Sequence, residues 1–412
     1  MSNNNTSYKD LLTQKDFIKL TTANTLGQFG DSIVALAFVW LMYEITGSAA
    51  LMAVNFMIRS IPDVVFQPIA GAIVDKLPKK RVLLLCKITR MTIMLTMAFL
   101  VITSMVTVPI LFAFTFLCAT IEAIRNPASI AITPLVLDKD KYATGSGIKA
   151  SLWRVADLLG TAVAGALIIT IGTAGSILVS ASTFMVAAII VALVKLKEAK
   201  STERINLGST KTSLKEGLAY MKTSHVFVWL LVLGMLLNAM LVPFSAFSVV
   251  YIVDYLYGGP GFLSAVKISL SLAAIVGAIA TPKIKKFSYK WLIVISGFIM
   301  GLAMLLFSLA PMVESIAWRQ GSVILIILFA GVALGVINVV FGTVFMQHID
   351  KDFLGRMGGL TNSATSFAMP VVAGICALLA AVVSVPNVFF VSGIAIVVLF
   401  CAVARVKVYN RL

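Results

Sequence analysis

The chain has 412 residues, of which 60% are hydrophobic and 12% charged, and its formal net charge is +16. Soluble domains are roughly one-quarter charged, so water is not the main solvent of this chain. The basic excess does not point to nucleic acid, because it sits in short connectors between apolar runs, where membrane orientation is set.

Residues 1–16 are polar, and the first apolar run leads straight into a second, so a retained N-terminus is expected rather than a cleaved signal. Apolar runs of about twenty residues, long enough to cross a ~30 Å hydrocarbon layer as helices, then recur throughout. They predict spans 1 to 12 at 20–43, 49–73, 82–104, 108–130, 145–171, 175–194, 226–250, 262–280, 291–310, 323–345, 360–383 and 388–404. A membrane barrel would instead need segments of about ten residues alternating apolar and polar, and none is found. An all-α membrane protein follows.

The even-numbered connectors are basic. They carry Lys76, Lys79, Lys80 and Arg81, then Lys139 and Lys141, the run from Lys195 to Lys222, then Lys283, Lys285, Lys286 and Lys290, and finally Lys351 and Arg356. Odd-numbered connectors hold almost nothing basic except Arg319. The positive-inside rule places both termini and the central loop in the cytoplasm, with the chain multi-pass in a bacterial inner membrane.

That central loop, 195–225, is the only long hydrophilic stretch, and it separates 1–194 from 226–412 as two six-helix bundles. An internal repeat supports the division. Gly71-Ala-Ile-Val-Asp75-Lys76-Leu-Pro78-Lys79-Lys80 follows span 2, and Gly277-Ala-Ile-Ala-Thr281-Pro-Lys-Ile-Lys-Lys286 follows span 8. A second echo pairs Asp138-Lys-Asp140 with Asp350-Lys-Asp352. Two parallel six-helix halves are an architecture of alternating-access transporters.

The connector Gly71 to Lys80 resembles the signature loop of the major facilitator superfamily: Gly, three residues, an acid, a basic residue, any residue, Gly, then two basic residues. Pro78 stands where the family usually has Gly. Leu354-Gly-Arg356-Met357, Ser366-Phe-Ala-Met-Pro370, Asn126-Pro127-Ala128 and Thr133-Pro134-Leu135 resemble the macrolide-efflux and enterobactin-exporter group within it. The resemblance implies the major facilitator fold. It also implies that Asp75 locks the cytoplasmic side against the start of span 11, with Gly71, Lys76, Lys79 and Lys80 shaping the connector. Thr281 replaces the acid in the second half, so the lock should be asymmetric. On span 5, Gly160-Thr161-Ala-Val-Ala164-Gly165 resembles a degraded antiporter signature, while small residues at this spacing also simply let helices approach closely.

Ionisable groups inside spans cost a few kcal/mol each and call for a shared polar environment. Span 1 sets Asn24, Gln28 and Asp31 on one helical face, and span 2 repeats Asn55, Arg59, Asp63 and Gln67 every four residues, with Pro62 and Pro68 expected to bend it. Span 4 adds Glu122 and Arg125, read as part of an inner gate, and span 5 adds Arg154 and Asp157. This counts four acids against three arginines. The candidate proton-coupling or substrate cavity is therefore Asp31, Gln28, Asn24, Arg59, Asp63, Arg154 and Asp157. Asp31 is the first choice because its own helix offers it no arginine; Arg59–Asp63 and Arg154–Asp157 are also spaced to form structural ion pairs.

The second half is nearly free of buried charge, with Lys267 expected to snorkel to the outer interface. Its Met and Phe residues, including Met235, Met240, Phe244, Phe247, Met300 and Met304, suit a wall that repacks around varied apolar ligands, as well as ordinary packing against lipid. Cys86, Cys118, Cys376 and Cys401 stand singly and read as small buried hydrophobes. No phosphate-binding Gly-rich loop occurs, and His225 and His348 lie far apart, so no enzyme, cofactor or metal site is expected. The expectation is a monomeric secondary transporter exporting a drug, siderophore or small peptide by proton antiport, in contact with membrane lipids. The rivals are a lipid or lysolipid translocator of the same fold, in which Arg59 and Arg154 receive a phosphate, and a non-transporting membrane sensor.

Overall fold

The structure is a computed structural model that describes residues 13–74, 76–138, 141–196, 225–284, 288–347 and 361–405. Asp75, Lys139, Asp140, most of the central loop, Lys285, Lys286, His348, the Asp350–Asp352 echo, Lys351, Arg356 and the 354–357 motif lie outside the described residues.

In hydrocarbon every backbone N–H and C=O must be satisfied within its own segment, so apolar runs of this length close their hydrogen bonds as helices. Eleven of the described helices are long and apolar enough to cross a membrane. They hold all twelve predicted spans, because spans 5 and 6 both lie within Tyr142–Ala192, as two helices that meet at the non-helical Gly172. Gly172 has φ +74°, a left-handed conformation that glycine adopts without steric penalty and other residues rarely do. The reversal between two spans thus rests on one residue.

Span 1 is Lys15–Thr46, span 3 Lys79–Ile102 and span 4 Val108–Ala131. Span 2 breaks as its prolines predict, into Ala49–Val65 and Gln67–Val74 with a turn at Phe66. Pro68 has no N–H to offer the Val64 carbonyl four residues back. That carbonyl accepts the Ser363 hydroxyl instead, at 2.8 Å. Span 7, His225–Val250, ends in a π-helical turn, Tyr251–Tyr255. Spans 8, 9, 10 and 12 are Pro260–Ala280, Tyr289–Leu309, Ile316–Gln347 and Val385–Arg405, and span 11 is Thr361–Leu379.

Contacts divide the chain into two compact units, Met1–Leu41 with Val65–Thr210 and Met42–Val64 with Lys211–Leu412. The division drawn at 1–194 and 226–412 differs from this at residues 42–64, which group with the C-terminal residues.

In the first unit, span 3 packs against span 4 and against spans 5 and 6 taken together. Span 5 meets span 1 where Gly160 leaves room: a Cβ there would stand 2.6 Å from the Phe29 carbonyl oxygen. The small-residue segment on span 5 therefore packs helices closely. In the second unit, span 8 packs along span 10, and Gly277, Gly331 and Gly335 bring their backbones together. Aromatic rings of Phe247, Tyr251, Phe307 and Phe389 interlock in its core, and the Tyr251 hydroxyl donates to the Phe307 carbonyl. Cys86, Cys118 and Cys376 are buried as expected; Cys401 is exposed, a correction that follows from its place on the outward face of span 12.

Candidate functional site

The first unit concentrates charge within its spans. Asp31, at mid-length of span 1, is ion-paired to Arg90 of span 3, which also donates a hydrogen bond to it, and stands 3.6 Å from the Arg125 guanidinium of span 4. Arg125 in turn lies 3.7 Å from Glu122. Arg90 packs over the Phe184 ring, 5.2 Å from its centroid, with Lys87 at 5.7 Å. Lys87 is fully buried and its amine has no hydrogen-bond partner. It fills the notch left by Gly27, where a Cβ would sit 1.8 Å from Nζ.

The count of four acids against three arginines is therefore corrected. Lys87, Arg90 and Lys149 also lie within spans. Window averaging hid them, although the Lys87-Ile-Thr-Arg90 spacing on an otherwise apolar helix was a readable signal. Asp31 has no arginine on its own helix, but it has two from neighbouring helices.

Beside this cluster is a polar cavity of about 300 Å³, lined among others by Asn24, Gln67, Arg125, Ser129, Lys149 and Trp153. The Asn24 amide donates to Ser129 Oγ at 3.2 Å, while its side-chain oxygen is buried without a partner. Lys149 donates to the Ser129 carbonyl at 2.6 Å and to Thr133 Oγ1 at 3.2 Å. Gln28 donates to Asp157 at 3.3 Å, and Asp157 accepts the Ser32 hydroxyl at 2.7 Å. Arg154 reaches Asp157 only at 4.0 Å and lies 5.4 Å from the centre of the Trp153 ring, so Asp157 is tied more closely to span 1 than to its helical neighbour.

Arg59 and Asp63 fall in the other unit. Of the connector residues, Lys80 caps the end of span 6, donating to the carbonyls of Ala192 at 2.8 Å and Val194 at 2.7 Å. A cation suits a helix C-terminus, where unpaired carbonyls concentrate. A Cβ at Gly71 would meet nothing within 4 Å, and Lys76 and Lys79 are half-buried in the connector and the first turn of span 3.

The second unit contains an apolar cavity of about 50 Å³, lined in part by Met240, Phe244, Met300, Met304 and Phe307. Four of the Met and Phe residues singled out from sequence thus meet there, while Phe247 packs into the aromatic core. Arg319, the basic residue of the odd-numbered connectors, also has a structural explanation. Arg319 is 9% exposed and donates to the carbonyls of Val313, at 2.7 and 2.9 Å, and Tyr255, at 2.9 Å.

The family model of the Major Facilitator Superfamily matches residues 20–373. The chain belongs to this superfamily. Among its superfamily relatives, macrolide efflux protein A of Streptococcus pyogenes is 23% identical over 385 residues, covering 92% of this chain and 93% of that protein. The multidrug efflux pump Tap of Mycolicibacterium fortuitum is 22% identical, covering 81% and 83%. Of solved superfamily folds, the nucleoside transporter NupG superposes with a TM-score of 0.72 at 14% identity, over 96% of this chain and 100% of that one. The protein is thus a multi-pass membrane protein of a transporter superfamily, with efflux pumps among its relatives.

Proposed function

We propose that this protein exports amphipathic small molecules by alternating access, exchanging them for protons, as a monomer in the inner membrane of a bacterium with both termini in the cytoplasm. The observation that carries the reading is the buried Asp31 carboxylate, shared between arginines on two other helices and one helical turn from Gln28. Because the ion pair is divided among separate helices, a rearrangement of those helices in the transport cycle would take a cation away from the carboxylate. A carboxylate that loses its cation in a low-dielectric wall takes up a proton. The efflux relatives support the direction of transport, and the polar cavity of the first unit supports a polar group on the solute. The Gly71 to Lys80 connector, with Asp75, and the Glu122–Arg125 pair form the cytoplasmic gate in this scheme.

The test is proton flux in sealed proteoliposomes carrying a pH-sensitive dye, challenged with macrolides, siderophores, peptides and lysolipids. Substrate-dependent flux that is lost in Asp31→Asn and partly kept in Asp31→Glu supports the proposal. Wild-type flux and pH dependence in a folded Asp31→Asn protein would remove Asp31 from the coupling, and silence of the folded wild type across the panel would reject export of these classes. Translocation of a lipid or lysolipid is the second reading, favoured by the two cations in the polar cavity.

A further inference from the structure

We infer that the polar cavity of the first unit binds the anionic group of an amphiphile, a phosphate or a carboxylate, with Lys149 and Arg125 as its cationic ligands. The inference rests on reading this cavity as the substrate site and adds the charge class of the substrate. Among the described residues, the charged side chains that line the cavity are Arg125 and Lys149, both cationic. Lys149 spends two of its three N–H groups on neutral acceptors, a carbonyl and a hydroxyl, and forms no ion pair with a carboxylate among the described residues. Its charge is solvated by dipoles and left uncompensated.

Arg125 is similarly under-used. Its carboxylate neighbours stand at 3.6 and 3.7 Å, beyond hydrogen-bond length, and one oxygen of Asp31 is already taken by Arg90. A guanidinium presents a fork of donors matched to the paired oxygens of a phosphate or carboxylate. Within the apolar stretches 20–43, 82–104, 108–130 and 145–171, this unit holds five cations, Lys87, Arg90, Arg125, Lys149 and Arg154, against three acids, Asp31, Glu122 and Asp157. An anion entering the cavity corrects that imbalance, and an amine worsens it.

Two further features suit an amphiphile. Asn24, only 8% exposed, lines the cavity and keeps a side-chain oxygen without a partner, an acceptor that a small side-chain rotation would offer to a hydroxyl carried by the same ligand. Trp153 and Ile130 on the cavity wall give its apolar body a surface to lie on.

The test is binding to purified protein in uncharged nanodiscs, without any ion gradient, using three probes with one tail: hexyl phosphate, hexanoate and hexylammonium. Both anions should bind at least about tenfold more tightly than the amine, and Lys149→Gln should lose roughly tenfold for the anions while Lys149→Arg loses less than about threefold. Melting curves establish that both variants are folded. An amine that binds as tightly as the anions, or a Lys149→Gln protein with wild-type affinity, overturns the inference. So does inorganic phosphate binding as tightly as hexyl phosphate, since the tail then contributes nothing. Displacement of hexyl phosphate by lysophosphatidate supports the inference with a lipid as the source of the anion, and failure to displace it supports a non-lipid amphiphile. Anion-selective binding with a silent flux panel keeps this site and sinks proton-coupled export; coupled flux with amine-selective binding does the reverse.

Discussion

The carboxylate of Asp31 on span 1 is bonded to the guanidinium of Arg90 on span 3, fifty-nine residues further along the chain. Both side chains are nearly sealed from solvent, at 10% and 7% exposure. Removing one member of a buried pair strands the other charge and costs about 3–5 kcal/mol. The two removals should not be equal here. Arg90→Gln leaves Asp31 with Arg125, whereas Asp31→Asn leaves Arg90, Arg125 and Lys87 close together with only Glu122 beside them. Thermal unfolding in detergent should therefore show Asp31→Asn as the larger loss, and adding Arg90→Gln to it should cost less than Arg90→Gln does alone. Additive losses would mean that the pair is not coupled.

The same pair marks the boundary of what the sequence made legible. The spans, the proline break in span 2 and the Met and Phe wall are one-dimensional patterns, and a single strand of residues displays them. The partners of Asp31 are not, because pairing between helices depends on which faces meet in three dimensions. Lys87 and Arg90 were visible as letters, yet the sixteen apolar residues of span 3 outvote two cations in any hydropathy average. Lys149 was hidden in the same way near the start of span 5. The break between spans 5 and 6, by contrast, was legible: it falls at Gly172, between the predicted ends at 171 and 175.

Arg319 offers a second test. Its guanidinium bridges the carbonyls of Val313, in the connector after span 9, and Tyr255, at the end of the π-helical turn of span 7, and it lies 5.3 Å from the centre of the Tyr257 ring. Hydrogen bonds from a charged group contribute about 1.5–3 kcal/mol, so Arg319→Ala should lower stability by roughly 2–3 kcal/mol. Arg319→Lys should recover less than half of the loss, because a single ammonium cannot span both carbonyls in the guanidinium's geometry. Melting temperatures of the three proteins decide this; full recovery by lysine would mean that charge alone matters.

The hydroxyl of Ser363 should matter only because of a proline. Ser363→Ala deprives the Val64 carbonyl of its donor, at a cost of about 1 kcal/mol. Pro68→Ala supplies the missing backbone N–H, so the serine substitution should become nearly silent in that background. The measurement is a double-mutant cycle on thermal stability, and equal serine effects in both backgrounds would break the link.

Two glycines on one helix should respond in opposite directions. On span 10, a Cβ at Gly335 would stand 2.0 Å from the Ala274 carbonyl oxygen, whereas a Cβ at Gly321 would meet nothing within 4 Å. Backbone oxygen on a packed helix cannot step aside as a side-chain tip can, so Gly335→Ala must push spans 8 and 10 apart, with an overpacking cost of about 1–3 kcal/mol. Gly321→Ala only removes backbone freedom from the unfolded chain and should stabilise by roughly 0.5–1 kcal/mol. Gly277→Ala on the facing helix, 2.1 Å from the Val332 carbonyl oxygen, should behave like Gly335→Ala. If the melting temperature falls for Gly335→Ala and Gly277→Ala and rises for Gly321→Ala, close backbone approach holds the two helices together. A neutral Gly335→Ala would mean that the helices separate freely and that their small residues are not what sets their distance.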